Sequence, residues 1–211
     1  MPAMGKGHSR LALFVKRVLD IGLSASALVA LSPVMLAIGA AVKLASPHGP
    51  VIFRQTRCGM HGRPFVVYKF RTMVPGAEEM RLELEALNEA DGPPFKIKDD
   101  PRIIPGVGVF LRRTGLDELP QLFNVLMGEM SIVGPRPPIP SEVQRYEVPQ
   151  LRRLSVRPGI TCLWQTMPER NDMDFASWVK LDLEYIDNWS LWLDLKVMAR
   201  TLGVMLRGKG R

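Results

Sequence analysis

A mainly helical α+β fold is predicted by three features of this chain: an apolar N-terminal helix broken at its centre, one small β-hairpin, and amphipathic helices toward the C-terminus. Residues 21–42 carry no charge, and at ~1.5 Å per residue such a run reaches across a ~30 Å hydrocarbon core. Ser32-Pro33 interrupts it. Proline removes a backbone donor and steers the residue before it out of helical geometry. Lys16 and Arg17 precede the run and Lys43 follows it, so both flanks bear the positive charge of a cytoplasmic side. A straight crossing satisfies one flank; a helix that enters and returns satisfies both. The reading is a flexible tail (1–15), a re-entrant membrane helix (16–46) and a cytosol-facing domain (47–211). A simple span and a buried core helix are the alternatives.

The remaining elements follow in order. After the turn cluster Pro47-His48-Gly49-Pro50, β-branched and aromatic runs at 51–53 and 65–70 flank Gly59 and Gly62, the pattern of a hairpin. Residues 78–90 predict a charged helix with Met80, Leu84 and Leu87 on one face, ended by Asp91-Gly92-Pro93-Pro94, with loop through Pro105. Short helices are predicted at 108–113 and 118–127. Gly134-Pro135-Arg136-Pro137-Pro138 excludes a helix interior. Helices are expected again at 141–151, 174–187 and 190–206. The last begins near Trp189 and Trp192 and ends in basic residues, which suits a helix lying in the membrane interface; ordinary core packing explains it equally well.

Composition narrows the partners. The chain has 211 residues, 46% of them hydrophobic, enough for a membrane segment and one domain of ordinary size. Its net charge of +7 is concentrated near the apolar run. Residues 1–57 hold Lys6, Arg10, Lys16, Arg17, Lys43, Arg54 and Arg57 against Asp20 alone. Cations placed there are drawn to anionic lipid. No paired-aromatic RNA signature or zinc-finger spacing occurs, so membrane lipid and phosphorylated substrates are expected, and nucleic acid is not. Cys58 and Cys162 suggest a reducing compartment and no disulfide framework. His8, His48 and His61 lack metal-ligand spacing. The N-terminus looks like a signal peptide, but its apolar run is too long and lacks a cleavage site, so retention is expected.

Chemistry concentrates around Asp117-Glu118, adjacent acids at a turn entering a helix, with Pro120 in its first turn. By itself such a pair is an N-terminal cap. Its company is unusual: Arg112 and Arg113 precede it, Lys69 and Arg71 end a predicted strand, and proline-locked Arg136 follows. Cations on stiff backbone beside two carboxylates suit a diphosphate and a divalent metal. Oxygen ligands without histidine favour Mg²⁺, which bridges one or two carboxylates and substrate phosphates. Arginine forks grip phosphate oxygens. No Walker, kinase or Rossmann glycine pattern is present.

These segments resemble the bacterial sugar transferases, the monotopic phosphoglycosyl transferases. The resemblance is carried by KRVLDIG (16–22), the Ser32-Pro33 break, YKFRTM (68–73), DDPRI (99–103), LDELPQLFNVLMGEMSIVGPRP (116–137), RPGIT (157–161), RND (170–172) and NWSLWLDLK (188–196). The last two look like the subgroup that transfers hexose 1-phosphates, such as galactose or glucose 1-phosphate. The resemblance implies a re-entrant helix in the bacterial inner membrane, a cytoplasmic active site, Mg²⁺ dependence and a two-step reaction. Asp117 would attack the β-phosphate of a UDP-sugar and expel UMP. Undecaprenyl phosphate would then take the sugar phosphate from the aspartyl intermediate. The product begins exopolysaccharide, O-antigen or capsule assembly. Glu118 would share the metal with Asp117 or handle protons. Lys69, Arg71, Arg112 and Arg136 would hold phosphate, with Gln121 a further substrate contact.

Two departures stand out. Gly-Ile-Thr-Gly is Gly159-Ile160-Thr161-Cys162 here, and Ser-Gly before Arg-Asn-Asp is Pro168-Glu169, which leaves donor identity open. Longer relatives carry membrane helices and a further domain ahead of this core, so the chain reads as the minimal catalytic form. The apolar C-terminal helix could form a homodimer or rest on lipid. The competing functions are a non-catalytic membrane scaffold and a UDP-sugar pyrophosphatase.

Overall fold

The computed structural model describes residues 9–84, 88, 97, 99–170 and 172–206. The first helix, α1 (Arg10–Ala30), runs to Leu31, and α2 (Ser32–Ala45) follows at once. The helix therefore starts earlier than expected: residues 10–15 belong to α1 rather than to a tail, because nothing between Leu11 and Leu31 breaks helical geometry. Residues 1–8 of the predicted tail lie outside the described residues.

The two helices are bent by 62°. Pro33 stands in the first turn of α2, where its missing N–H has no partner to lose. Leu31 N donates to Ala27 O at 2.8 Å, closing α1. Ser32 Oγ donates to Val29 O, also at 2.8 Å. No single described helix is long and apolar enough to cross a membrane, whereas the bent pair together has the length and composition.

The feet of this V are fastened to the domain by polar contacts. Lys16 Nζ donates to Asp194 at 2.6 Å and to Val133 O at 3.1 Å. Arg17 donates to the carbonyls of Val125 and Leu126. Asp20 accepts from Ile132 N at 3.0 Å. The basic pair read from sequence as a membrane flank thus binds protein. On α2, Ile38 and Val42 pack with Phe70 and Leu111. The apex differs sharply: among residues 25–37 none is buried, and Val29 and Leu36 are both over three-quarters exposed.

The expected hairpin is present. Strands β1 (Ile52–Cys58) and β2 (Pro64–Phe70) pair antiparallel, from Ile52 opposite Phe70 to Cys58 opposite Pro64. Their tight connection uses His61 and Gly62 at positive φ. Phe65 and Val67 pack with Val125 and Met130 beneath the sheet. The buried Asn124 side chain accepts from Tyr68 N and donates to Val66 O, acting as a substitute strand for the outer edge of β2.

Helix α3 (Ala77–Glu83) realises the start of the predicted charged helix; Leu87 and the Asp91–Pro94 stop lie outside the described residues. Helices α4 (Val107–Thr114) and α5 (Gln121–Met127) flank the acidic pair. The predicted 118–127 helix is shorter than expected, because residues 116–118 form a separate 3₁₀ turn. The 141–151 helix is corrected too. Only α6 (Pro140–Val143) is α-helical, and 3₁₀ turns cover 150–155; Pro149 cannot continue a helix from Tyr146.

Sequence analysis missed the parallel pair of β3 (Ser131–Val133) and β4 (Gly159–Thr161). Gly134 N donates to Thr161 O at 3.0 Å and Gly159 N to Pro135 O at 2.9 Å. A Cβ on Gly159 would stand 2.1 Å from Gly134 N, so the approach requires glycine. Helix α7 (Phe175–Asp187) is capped by Asp174, whose carboxylate accepts from Ser177 N at 2.7 Å. Helix α8 (Leu191–Leu206) buries Val197 against Val133, Leu163, Tyr185 and Ile186. Its Trp192, Leu195 and Leu202 are exposed. Cys58 and Cys162 are buried free thiols.

Candidate active site

The site grows from a chain reversal. Helix α4 ends at Gly115, whose φ of +72° suits glycine far better than any residue with a Cβ. The turn at once presents Asp117 and Glu118 beside Arg112 of the preceding helix. From β2, Lys69 reaches over and donates to Glu118 Oε1 at 2.7 Å. From β1, Cys58 N and Arg57 Nη1 donate to Pro138 O and Pro137 O, pinning the proline segment that carries Arg136.

Together these elements wall a half-open cavity of about 620 Å³, lined by Lys69, Arg112, Asp117, Glu118 and Arg136. Removing water raises the Asp117 carboxyl to about 6; Lys69 opposes the rise, Glu118 adds to it, and Arg112 and the Asp117 backbone N–H oppose it. A carboxyl held between protonation states near neutral pH, with cations close by, is suited to act as base or nucleophile.

Two further predicted contacts, Arg71 and Gln121, sit differently from the rest. Arg71 touches the cavity wall, but its guanidinium is bound to protein: Nε donates to Pro50 O, Nη1 to Ser46 Oγ and Met73 O, and Nη2 to Ser46 O. It ties the end of β2 to the end of α2, and burial lowers its pKa. Gln121 is buried at the start of α5, outside the cavity lining, with its Nε2 unpartnered.

The chain also brings residues that motif reading overlooked. Arg102 lines the cavity, though it is held by Asp100 at 2.6 Å and braces Ala77 O. Thr161 of β4 shares a 2.7 Å hydrogen bond with Thr201 of α8, and both line the cavity with Met205. Trp164, Gln165 and Arg170, on the segment after β4, complete the wall. Arg102, Thr161 and Arg170 stand in the DDPRI, RPGIT and RND strings, but the strings alone do not single them out as cavity residues; Asn171 lies outside the described residues.

No cluster of three or more His, Cys, Asp or Glu suited to a metal occurs among the described residues. Asp117 and Glu118, adjacent on this turn, would be the oxygen donors to a Mg²⁺ ion, a metal that needs only one or two carboxylates from the protein.

A profile described as bacterial sugar transferase matches residues 11–208. The chain is 50% identical to the galactosyl transferase CpsE of Streptococcus agalactiae over 162 residues, which is 77% of this chain and 36% of that protein. It is 44% identical to the undecaprenyl-phosphate galactose phosphotransferase of Salmonella typhimurium over 204 residues, 93% of this chain and 41% of that one. Identity to the exopolysaccharide production protein ExoY of Rhizobium meliloti is 39% over 199 residues, covering 92% and 87%. The chain thus spans well under half the length of the first two.

Proposed function

Starting from a chain that belongs to the bacterial sugar transferase family, we propose that it moves a sugar 1-phosphate from a UDP-sugar to undecaprenyl phosphate. The observation that carries this reading is Asp117, a carboxyl raised to about 6 in a cation-walled cavity. The relatives' names point the same way: one is a galactose phosphotransferase and another a UDP-glucose:undecaprenyl-phosphate glucose-1-phosphate transferase. Galactose or glucose is the sugar favoured.

In the first step an Asp117 oxygen forms a bond to the β-phosphorus while the bond from that phosphorus to the bridging oxygen breaks. UMP departs with the bridging oxygen and both bonding electrons. Lys69, Arg112 and Arg136 hold the phosphate oxygens on which charge develops. In the second step an oxygen of the polyprenyl phosphate attacks the same phosphorus, and the bond to Asp117 breaks. The carboxylate is regenerated, and the lipid carries a diphospho-sugar. Splitting one displacement into two is the advantage of a covalent carrier. Bound by Asp117 and Glu118, Mg²⁺ would neutralise the charge of the diphosphate. Lys69 holds the Glu118 carboxylate in place through their 2.7 Å contact.

The helix pair gives the second substrate access. With its bare apex in the lipid of the cytoplasmic leaflet and its feet fastened to the domain, a re-entrant V holds the cavity at headgroup height, on the inner membrane's cytoplasmic side. Both termini of the V then face one compartment. Cysteines placed beside Arg10 and Ser46 should both be labelled from the cytoplasmic side, and labelling of one alone would establish a span.

The decisive assay offers a panel of UDP-sugars with undecaprenyl phosphate and measures UMP. Wild-type protein should release UMP from at least one sugar, leaving label in the lipid fraction. Asp117→Asn should reduce the rate by about 10⁴-fold, as loss of a covalent nucleophile does. Label appearing as water-soluble sugar phosphate would instead support a pyrophosphatase.

A further inference from the structure

Arginines around this cavity are of two kinds. Arg71 is saturated by carbonyls and a hydroxyl, and Arg102 by Asp100 and Ala77 O. Deeper in the domain, Arg153 is paired with Asp182 at 2.7 Å. Arg170 lacks such an anion. Its Nη1 donates to Gln165 O at 2.8 Å, while its buried Nη2 has no acceptor. No carboxylate pairs with it among the described residues.

The segment bearing it is built to stay in place. Trp164 stacks on Trp178 with centroids 4.4 Å apart and planes 9° from parallel. The Gln165 side chain accepts from Cys162 N at 3.1 Å, and Thr166 Oγ1 donates to Leu163 O at 2.7 Å. Arg170 therefore meets the cavity from a braced loop, tethered through one nitrogen. Burial lowers its pKa, as expected for a cation removed from water without a counter-charge. Trp164, also lining the cavity, has a buried indole N–H with no acceptor. Proteins seldom leave such donors unmet, and a charged donor gains most from an anionic acceptor.

We propose that Arg170 is a phosphate-binding residue of this cavity, its guanidinium pairing with a phosphate group carried by one of the substrates. This assignment rests on the transferase reading and adds a residue to it. A planar fork tethered at one nitrogen fits phosphate oxygens better than a sugar hydroxyl, because only the former supply the missing charge. The donor's diphosphate and the acceptor's monophosphate are the two sources of that chemistry.

Calorimetric titration of the full chain in detergent with UDP, comparing wild type with Arg170→Gln and Arg170→Lys, tests the assignment. Arg170→Gln should weaken UDP by about 10- to 100-fold, the range of a lost charge-assisted bond, with Arg170→Lys intermediate. That result assigns Arg170 to the donor. Unchanged UDP affinity with a tenfold higher KM for undecaprenyl phosphate assigns it to the acceptor. Unchanged values for both overturn the proposal, as does a lowered melting temperature with both values intact in the folded fraction. If Arg170→Gln fails to fold, Arg170→Lys carries the comparison. UDP binding is read without turnover, so a wild type that binds UDP through Arg170 yet releases no UMP would sink the transferase reading alone.

Discussion

The foot of α1 and the cavity are both crowded with charge, yet they treat it oppositely. At the foot each charge meets its complement: Lys16 meets Asp194, Arg17 meets two carbonyls, and Asp20 meets a backbone N–H. Asp194 also accepts from Tyr185 and Trp189. In the cavity Asp117 is perturbed by its neighbours, and Arg170 retains an unmet donor. Satisfied charge holds helices together, and unsatisfied charge awaits a ligand. Separating those uses is what lets one small domain be both firmly docked and chemically poised.

The comparison can be broken from the docking side first. Asp194→Asn leaves Lys16 without its anion in a largely enclosed position, which should cost about 3 kcal/mol of stability. Thermal unfolding in detergent should register it, while UMP release per folded molecule stays near wild type. A variant as stable as wild type would show that the foot is not held by this pair. On the cavity side, Lys69→Met removes the strongest influence lowering the Asp117 pKa. The reactive carboxylate then forms only at higher pH, so the rising limb of donor-only UMP release should move upward. The loss should be roughly tenfold below pH 6 and smaller at pH 8. A limb that stays put would remove Asp117 as the titrating group. The smallest effect belongs to Thr201→Val, which deletes the hydroxyl bridge to Thr161. It should cost about 1 kcal/mol and alter turnover less than threefold, checked by denaturant titration alongside the UMP assay.

Local signals were legible in the chain. The Ser32-Pro33 break, the hairpin, and helices α7 and α8 follow from proline, β-branched runs, caps and periodicity. So did the convergence of Lys69, Arg112, Asp117, Glu118 and Arg136 on one cavity, through motif resemblance together with charge. Contacts across long sequence separations were not legible. Nothing near Lys16 announces Asp194, 178 positions away, so a docking residue looks like a membrane flank. Arg71 resembles Lys69 in every local respect, but only the fold reveals that the end of α2 captures it. Strands β3 and β4 are three residues each, too short for an alternation pattern to emerge.

The close approach of Gly134 and Gly159 has a consequence for substrate choice. Arg136 leaves this junction along one strand, and the Trp164–Arg170 segment leaves it along the other, so the crossing acts as a fixed gauge between them. Backbone meeting backbone at that distance has no slack to widen for a bulkier sugar. On the proposed transferase reading, donors of different size are sorted by the side chains that project inward, and attempts to retune the protein should repaint the walls while leaving the gauge alone.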